Sequence, residues 1–145
     1  MPSFTINLQN LVAAGPIVEI ILTPTQVAIE SMKTKNQPVP NPVKAIAMVD
    51  TGATSTVIIP EIAKHLGLQP VGQINMVTPS TKTPIPCNQY SVDLHFPANK
   101  VNVRNVIVSE AGLIGQHIQC LIGRDVLRHG VLVYIGYHQQ FTLSF

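Results

Sequence analysis

Ala47-Met48-Val49-Asp50-Thr51-Gly52-Ala53-Thr54 is an apolar run that stops on an acid, a hydroxyl and a glycine. The residues leading into it, 43–49, read as a mostly buried strand, so Asp50 arrives where a carboxylate is costly to desolvate unless it is hydrogen-bonded. Gly52 permits a tight turn just behind the acid. Thr51 carries a hydroxyl able to lock that turn through a main-chain group. From Ala53 to Ile59 the residues favour β structure again. An acid on a tight loop between two strands is held rigidly, and rigid placement is what a reacting group requires.

A second stretch, Cys120-Leu121-Ile122-Gly123-Arg124-Asp125-Val126-Leu127, runs from apolar residues through a glycine and an arginine into a short helical segment. Taken with Asp-Thr-Gly at 50–52, it resembles the corresponding element of the retropepsin-like aspartic proteases, and the likeness extends over the whole chain. The resemblance implies a mainly β fold: a closed, barrel-like retropepsin architecture with one or two short helices and one active site per homodimer. It implies Asp50 as the catalytic acid, Thr51 bonding across the dimer axis, Gly52 offering main-chain contacts to substrate, and Ala53 as the small residue that follows. Gly123, Arg124 and Asp125 would support the loop. Many retroviral members place an acid where this chain has Thr54, and that acid pairs with the arginine. Arg124 therefore has two open choices here, main-chain carbonyls or a carboxylate elsewhere such as Glu61. Read from the residues alone, Asp125 caps a helix over 125–129 that ends at Gly130.

At 145 residues the chain is one domain, 1–145, long enough to bury a core. It holds one Asp-Thr-Gly, and neither Asp93 nor Asp125 sits in a loop of that kind. Two-carboxylate chemistry then needs a second copy that sets Asp50 beside its twin, hence a homodimer. The expected activity is hydrolysis of peptide or protein substrates by water activated between the two carboxylates, with no cofactor and no metal. The competing class of function is a dimer of the same fold that binds peptides, or scaffolds an assembly, without cutting.

Charged residues make up 11% of the chain, against about 25% in an average soluble domain, so much of the outside is neutral or apolar. Such a surface suits a subunit interface and an apolar peptide groove. The net charge of +2 is small and its lysines and arginines are scattered, which leaves nucleic-acid binding without support. No apolar run is long enough to span a bilayer, and no signal-peptide pattern opens the chain, so the expectation is a cytoplasmic protein with no membrane partner. Cys87 and Cys120 lack metal-ligand spacing and read as buried reduced thiols. The histidines show no paired metal spacing either.

Elsewhere, period-two alternation at Phe4, Ile6 and Leu8 marks a half-buried strand, and 17–22 is β-rich. Residues 26–30 are expected to continue as a hairpin return or bent edge strand, followed by a polar loop over 33–42. Pro60 to Gly67 reads as a short helix, with proline near its start and glycine past its end. Strands at 71–77 and 89–96 flank a hairpin tip, and in the second Tyr90, Val92, Leu94 and Phe96 lie on one face with Ser91, Asp93 and His95 on the other. By order and length the resemblance makes Thr78, Pro79, Ser80 and Thr81 the candidate flap over substrate, without the glycines of retroviral flaps. The strand over 101–108 changes parity near Asn105, which predicts an irregularity there. Segments 131–135 and 141–145 form a hairpin. Chain ends interleave across the dimer axis in the resembled family, which makes Leu143 and Phe145 interface candidates.

Overall fold

The computed structural model describes residues 1–77, 82–113 and 115–145. Its strands are β1 (Ser3–Asn7), β2 (Ile17–Pro24), β3 (Val43–Val49), β4 (Val57–Ile58), β5 (Gly72–Met76), β6 (Ile85–Phe96), β7 (Val101–Glu110), β8 (Cys120–Ile122), β9 (Val131–Ile135) and β10 (Gln140–Ser144). Among them lie four short helices, α1 (Leu11–Ala14), α2 (Gln26–Thr34), α3 (Pro60–His65) and α4 (Arg124–Leu127), where one or two were expected. The fold is mainly β, as anticipated.

Hydrogen bonding runs β2-β3-β8-β4-β7-β6, and β6 pairs back onto β2, so six strands close into a barrel. β5 extends from β6 at one end of this ring. A separate sheet of order β1-β10-β9 joins the two chain ends. The alternation of β6 works as the sequence promises: Tyr90, Val92, Leu94 and Phe96 are all buried among Ile20, Leu22, Val108 and Ile122. Phe96 also ties the terminal sheet to the barrel, its ring centroid lying 5.9 Å from Phe4 and 4.9 Å from Phe145.

The parity change near Asn105 is a register shift between Val92 and Leu94 opposite a residue with φ of 55°. It turns Asp93 inward, where Oδ1 accepts the Asn105 amide at 2.9 Å. A carboxylate expected on the open face is therefore buried and bonded to main chain.

One expectation fails here. Residues 26–30 are helix, not strand. Thr25 caps α2 by accepting the Ala28 amide at 3.3 Å, and Gln26 donates to Glu30 one turn on at 3.1 Å. Val27 and Ile29 suggested β structure, but α2 buries none of its residues and Val27 stands 74% exposed, so capping and local pairs decide the segment. At the carboxyl terminus, Leu143 is buried between Phe4 and Leu132 in its own chain's sheet, and Phe145 is half-buried and stacks on Phe96.

Candidate active site

β8 lies between the two strands that flank Asp50, parallel to β3 (Val49 opposite Ile122) and antiparallel to β4 (Val57 opposite Leu121). The loop over 50–56 must therefore pass the end of β8, and the Asp50 amide donates to the Ile122 carbonyl at 2.9 Å. The Asp50 side chain is half-buried, and its Oδ1 accepts the Gly52 amide at 2.8 Å. A Cβ at position 52 would stand 3.0 Å from that oxygen, so glycine is what lets the turn close on the carboxylate. Thr51 and Gly52 are exposed at the tip.

The choice left open for Arg124 is decided in favour of main-chain carbonyls. Nη1 donates to the carbonyls of Thr51 (2.8 Å) and Gly52 (3.2 Å), and Nη2 to the Thr54 hydroxyl at 3.1 Å. The Arg124 amide adds a bond to the Ala53 carbonyl at 3.0 Å. The planar fork spans acceptors that an ammonium could not cover at once. Thr54, the residue that replaces an acid, is itself one of the acceptors.

Asp125 is not the helix cap. Gly123 holds the capping position of α4, and Asp125 lies in its first turn. Its Oδ1 accepts the Thr56 hydroxyl (2.8 Å) and the Val126 amide (2.9 Å), and Oδ2 accepts the Thr56 amide (2.9 Å). The Thr56 oxygen also receives the Gly123 amide at 3.1 Å. Thr56 is fully buried, and sequence reasoning missed it, because nothing sets it apart from Thr51, Thr54 and Ser55 beside it. Gly123 passes so close to the loop that an added Cβ would meet the Ser55 backbone at 2.5 Å.

A cavity also lies against β3 close to the loop. Ala47 and Val49 point into the core, which puts Met48 on the opposite face of β3. Met48, Val12, Ala14, Ile17 and Ile118 line a largely apolar cavity of about 550 Å³ between α1 and the segment before β8. Gly15, at φ of 73°, lets the chain turn there, and an added Cβ would come within 2.7 Å of the Met48 sulfur. The Pro16 carbonyl accepts the Val49 amide at 2.9 Å, fastening this wall to the end of β3. The sequence offered no sign of this cavity, whose walls are distant in the chain.

The family model described as aspartyl protease matches residues 24–126. The chain belongs to the aspartyl protease family. The structure of this aspartyl protease resembles the crystal structure of a retropepsin-like aspartic protease from Rickettsia conorii, with a TM-score of 0.52 and 16% identity, covering 100% of this chain and 96% of that one. At that identity the likeness shows the fold, which is retropepsin-like as expected. The retroviral protease-like domain of Ddi1 from Leishmania major aligns at a TM-score of 0.44 and 14% identity, over 85% of this chain and 84% of that one. No curated protein matches the sequence.

Of the positions singled out in this aspartyl protease, the fold brings Asp50, Thr51, Gly52, Ala53, Gly123, Arg124 and Asp125 into one hydrogen-bonded unit. Thr78, Pro79, Ser80 and Thr81 lie outside the described residues. Glu61 is exposed on α3, apart from Arg124's acceptors. Cys120 is fully buried, and its desolvation, with Asp125 adding repulsion, pushes the thiol up. Cys87 is only half-buried, a departure from the expected buried thiol, and burial together with Glu110 raises it too. Among the described residues no three His, Cys, Asp or Glu side chains converge as metal ligands, and no helix is long and apolar enough to cross a membrane.

Proposed function

We propose that two copies of this chain, each acting as one domain over 1–145, bring their Asp50 loops together and hydrolyse peptide bonds. The observation that carries the reading is the fastening of one half-exposed carboxylate. Gly52 orients it, and Arg124 and the Asp125–Thr56 contact pin the loop from behind. Rigidity of this order serves a group that must meet a second carboxylate at hydrogen-bonding distance.

Two carboxyl groups that close cannot both ionise easily, so the pair shares one proton, a behaviour for which aspartic proteases are the familiar example. One Asp50 takes a proton from a water held between them as that water attacks the peptide carbonyl. The protonated Asp50 donates to the carbonyl oxygen, which then carries no full negative charge in the tetrahedral intermediate. The first carboxyl passes its new proton to the departing nitrogen, the C–N bond breaks, and the carbonyl re-forms as the proton returns to the second. Thr51 would bond across the axis to set the separation of the loops, and Gly52 would offer main-chain groups to an extended peptide. The cavity beside Met48 suits an apolar side chain next to the cleaved bond. By order in the chain, the segment Thr78, Pro79, Ser80 and Thr81 between β5 and β6 would serve as the flap.

The test is Asp50→Asn, assayed against a diverse peptide library at acidic and neutral pH. Wild-type protein is expected to cut peptides with apolar residues at the bond, and the variant to fold, dimerise and cut nothing. Peptides captured but left whole by the wild type would replace this reading with the binding dimer.

A further inference from the structure

Helix α2 has an inner stripe that the barrel does not cover. Ala28 and Met32, with Lys35 at the end of the helix, recur at the spacing of one helical face, and that face lines a cavity of about 430 Å³. Across the cavity stand Leu68 and Val71, from the segment between α3 and β5, and Ser91 of β6. Ala28, Met32 and Leu68 are half-buried, and Val71 is 60% exposed. A helix of nine residues is marginal in water and normally draws its stability from an apolar face packed on a core. In α2 no residue of that face is fully buried.

The charge on the cavity wall has one sign. Lys35 is the charged residue that lines it, and among the described residues no Asp or Glu does. Glu30 of α2 is exposed, takes a bond from Gln26 and lies off this wall. A helix end with bare carbonyls would repel an anion. Here the carbonyls of Ser31, Met32 and Lys33 already accept the amides of Lys35, Gln37 and Asn36 at 3.1, 2.8 and 3.1 Å. Ser31 and Gln37 add a hydroxyl and an amide to the wall on either side of Lys35. Apolar walls with a few polar groups at one end, in a volume between about 300 and 1,000 Å³, are the ordinary make-up of a small-ligand site.

We propose that this cavity binds a small amphiphile, a carboxylate head on an apolar chain. The head lies at Lys35, Ser31 and Gln37, and the chain lies against Ala28, Met32, Leu68 and Val71. Bound there, it covers the stripe that the protein leaves open. It also ties α2 to the hairpin of β5 and β6, because the Val71 amide is fastened to the Gln89 carbonyl at 2.8 Å just ahead of β5. No residue of the loops around Asp50 and Gly123 lines the cavity, so its occupancy does not depend on two copies meeting.

Octanoate, held below the concentration at which it forms micelles, is the probe. Titration of the full chain, followed by backbone amide NMR shifts, should show one saturable site. Octanol has the same chain without the charge and should bind about 10-fold more weakly. Lys35→Glu should weaken octanoate binding by about the same factor, the scale of one reversed ion pair at an open site. Lys35 is exposed, so the substitution leaves the fold intact. Lys100→Glu makes the same charge change in the exposed turn between β6 and β7, and should leave the affinity as it was. Amide exchange locates the occupant. With octanoate at about ten times its dissociation constant, amides over 26–34 that exchange through opening of α2 should slow about 10-fold, and in Lys35→Glu at that concentration about 2-fold. No saturable binding, equal affinity for octanol, or wild-type affinity in Lys35→Glu would each overturn the site. So would slowing confined to another part of the chain.

Discussion

Asp125 grips Thr56 through both carboxylate oxygens, one on the amide at 2.9 Å and one on the hydroxyl at 2.8 Å. The contact closes the loop that begins at Asp50 onto the start of α4, so two segments far apart in sequence share one buried joint. Asp125→Ala leaves the Thr56 amide and hydroxyl without their acceptor, while the Val126 amide keeps the Gly123 carbonyl at 3.2 Å. We expect a loss of about 2–4 kcal/mol, from buried donors left unpaired. Thr56→Val removes the acceptor of the Gly123 amide as well as one donor to Asp125, and should cost about 1–3 kcal/mol. Urea unfolding followed by circular dichroism measures both. A change below the error of that method for either variant would contradict the joint.

Gly123→Ala should be worse tolerated than either. Its Cβ would lie 2.5 Å from backbone, which cannot rotate away as a side chain could. The expected cost is about 3 kcal/mol or more, at the upper end for overpacking. The same unfolding curves report it.

Arg124 is exposed, so its bonds contribute little to overall stability compared with their effect on loop geometry. Arg124→Lys keeps the charge and loses the fork that spans Thr51, Gly52 and Thr54. Activity on a peptide substrate should drop about 100-fold, the scale of effect that a misplacement of about 1 Å produces, with thermal unfolding shifted by only a few degrees. Steady-state kinetics set beside a melting curve separate the two effects.

Met48→Ala enlarges the cavity that Met48 lines beside β3. Cleavage should shift toward peptides bearing bulkier apolar side chains beside the bond, by about 10-fold in relative kcat/KM, within the range that small changes in an apolar pocket give. A matched peptide series differing at that one position is the measurement. An unchanged ranking would separate the cavity from substrate.

Burial raises the pKa of both cysteines, so at a given pH each holds less thiolate than a free cysteine. Native protein treated with iodoacetamide near pH 8 should label slowly at Cys87, faster as pH rises, and not at Cys120. After denaturation both should label. Mass spectrometry of the digested protein reads the pattern directly.

The candidate site residues stand out in the sequence because they break local rules: an acid closing an apolar run, a glycine behind it, an arginine after Ile122-Gly123. The alternation of Tyr90, Val92, Leu94 and Phe96 likewise declares a buried face by itself, since a strand's period is fixed by backbone geometry. Helix α2 was misread because Val27 and Ile29 resemble strand residues, while the outcome hung on a cap and one side-chain pair at the helix surface.

What the sequence by itself determined is the class of fold, the reacting acid's candidate and the loop that presents it, because those depend on patterns between near neighbours. Tertiary structure decided where Arg124 bonds, that Asp125 clamps Thr56 and does not cap a helix, and that a cavity lies against Met48. It also decided that Leu143 is buried in its own protomer's core and that Phe145 stacks on Phe96. Each of these turns on distances between residues tens of positions apart, which only the closed barrel brings within reach of a hydrogen bond or a packed side chain.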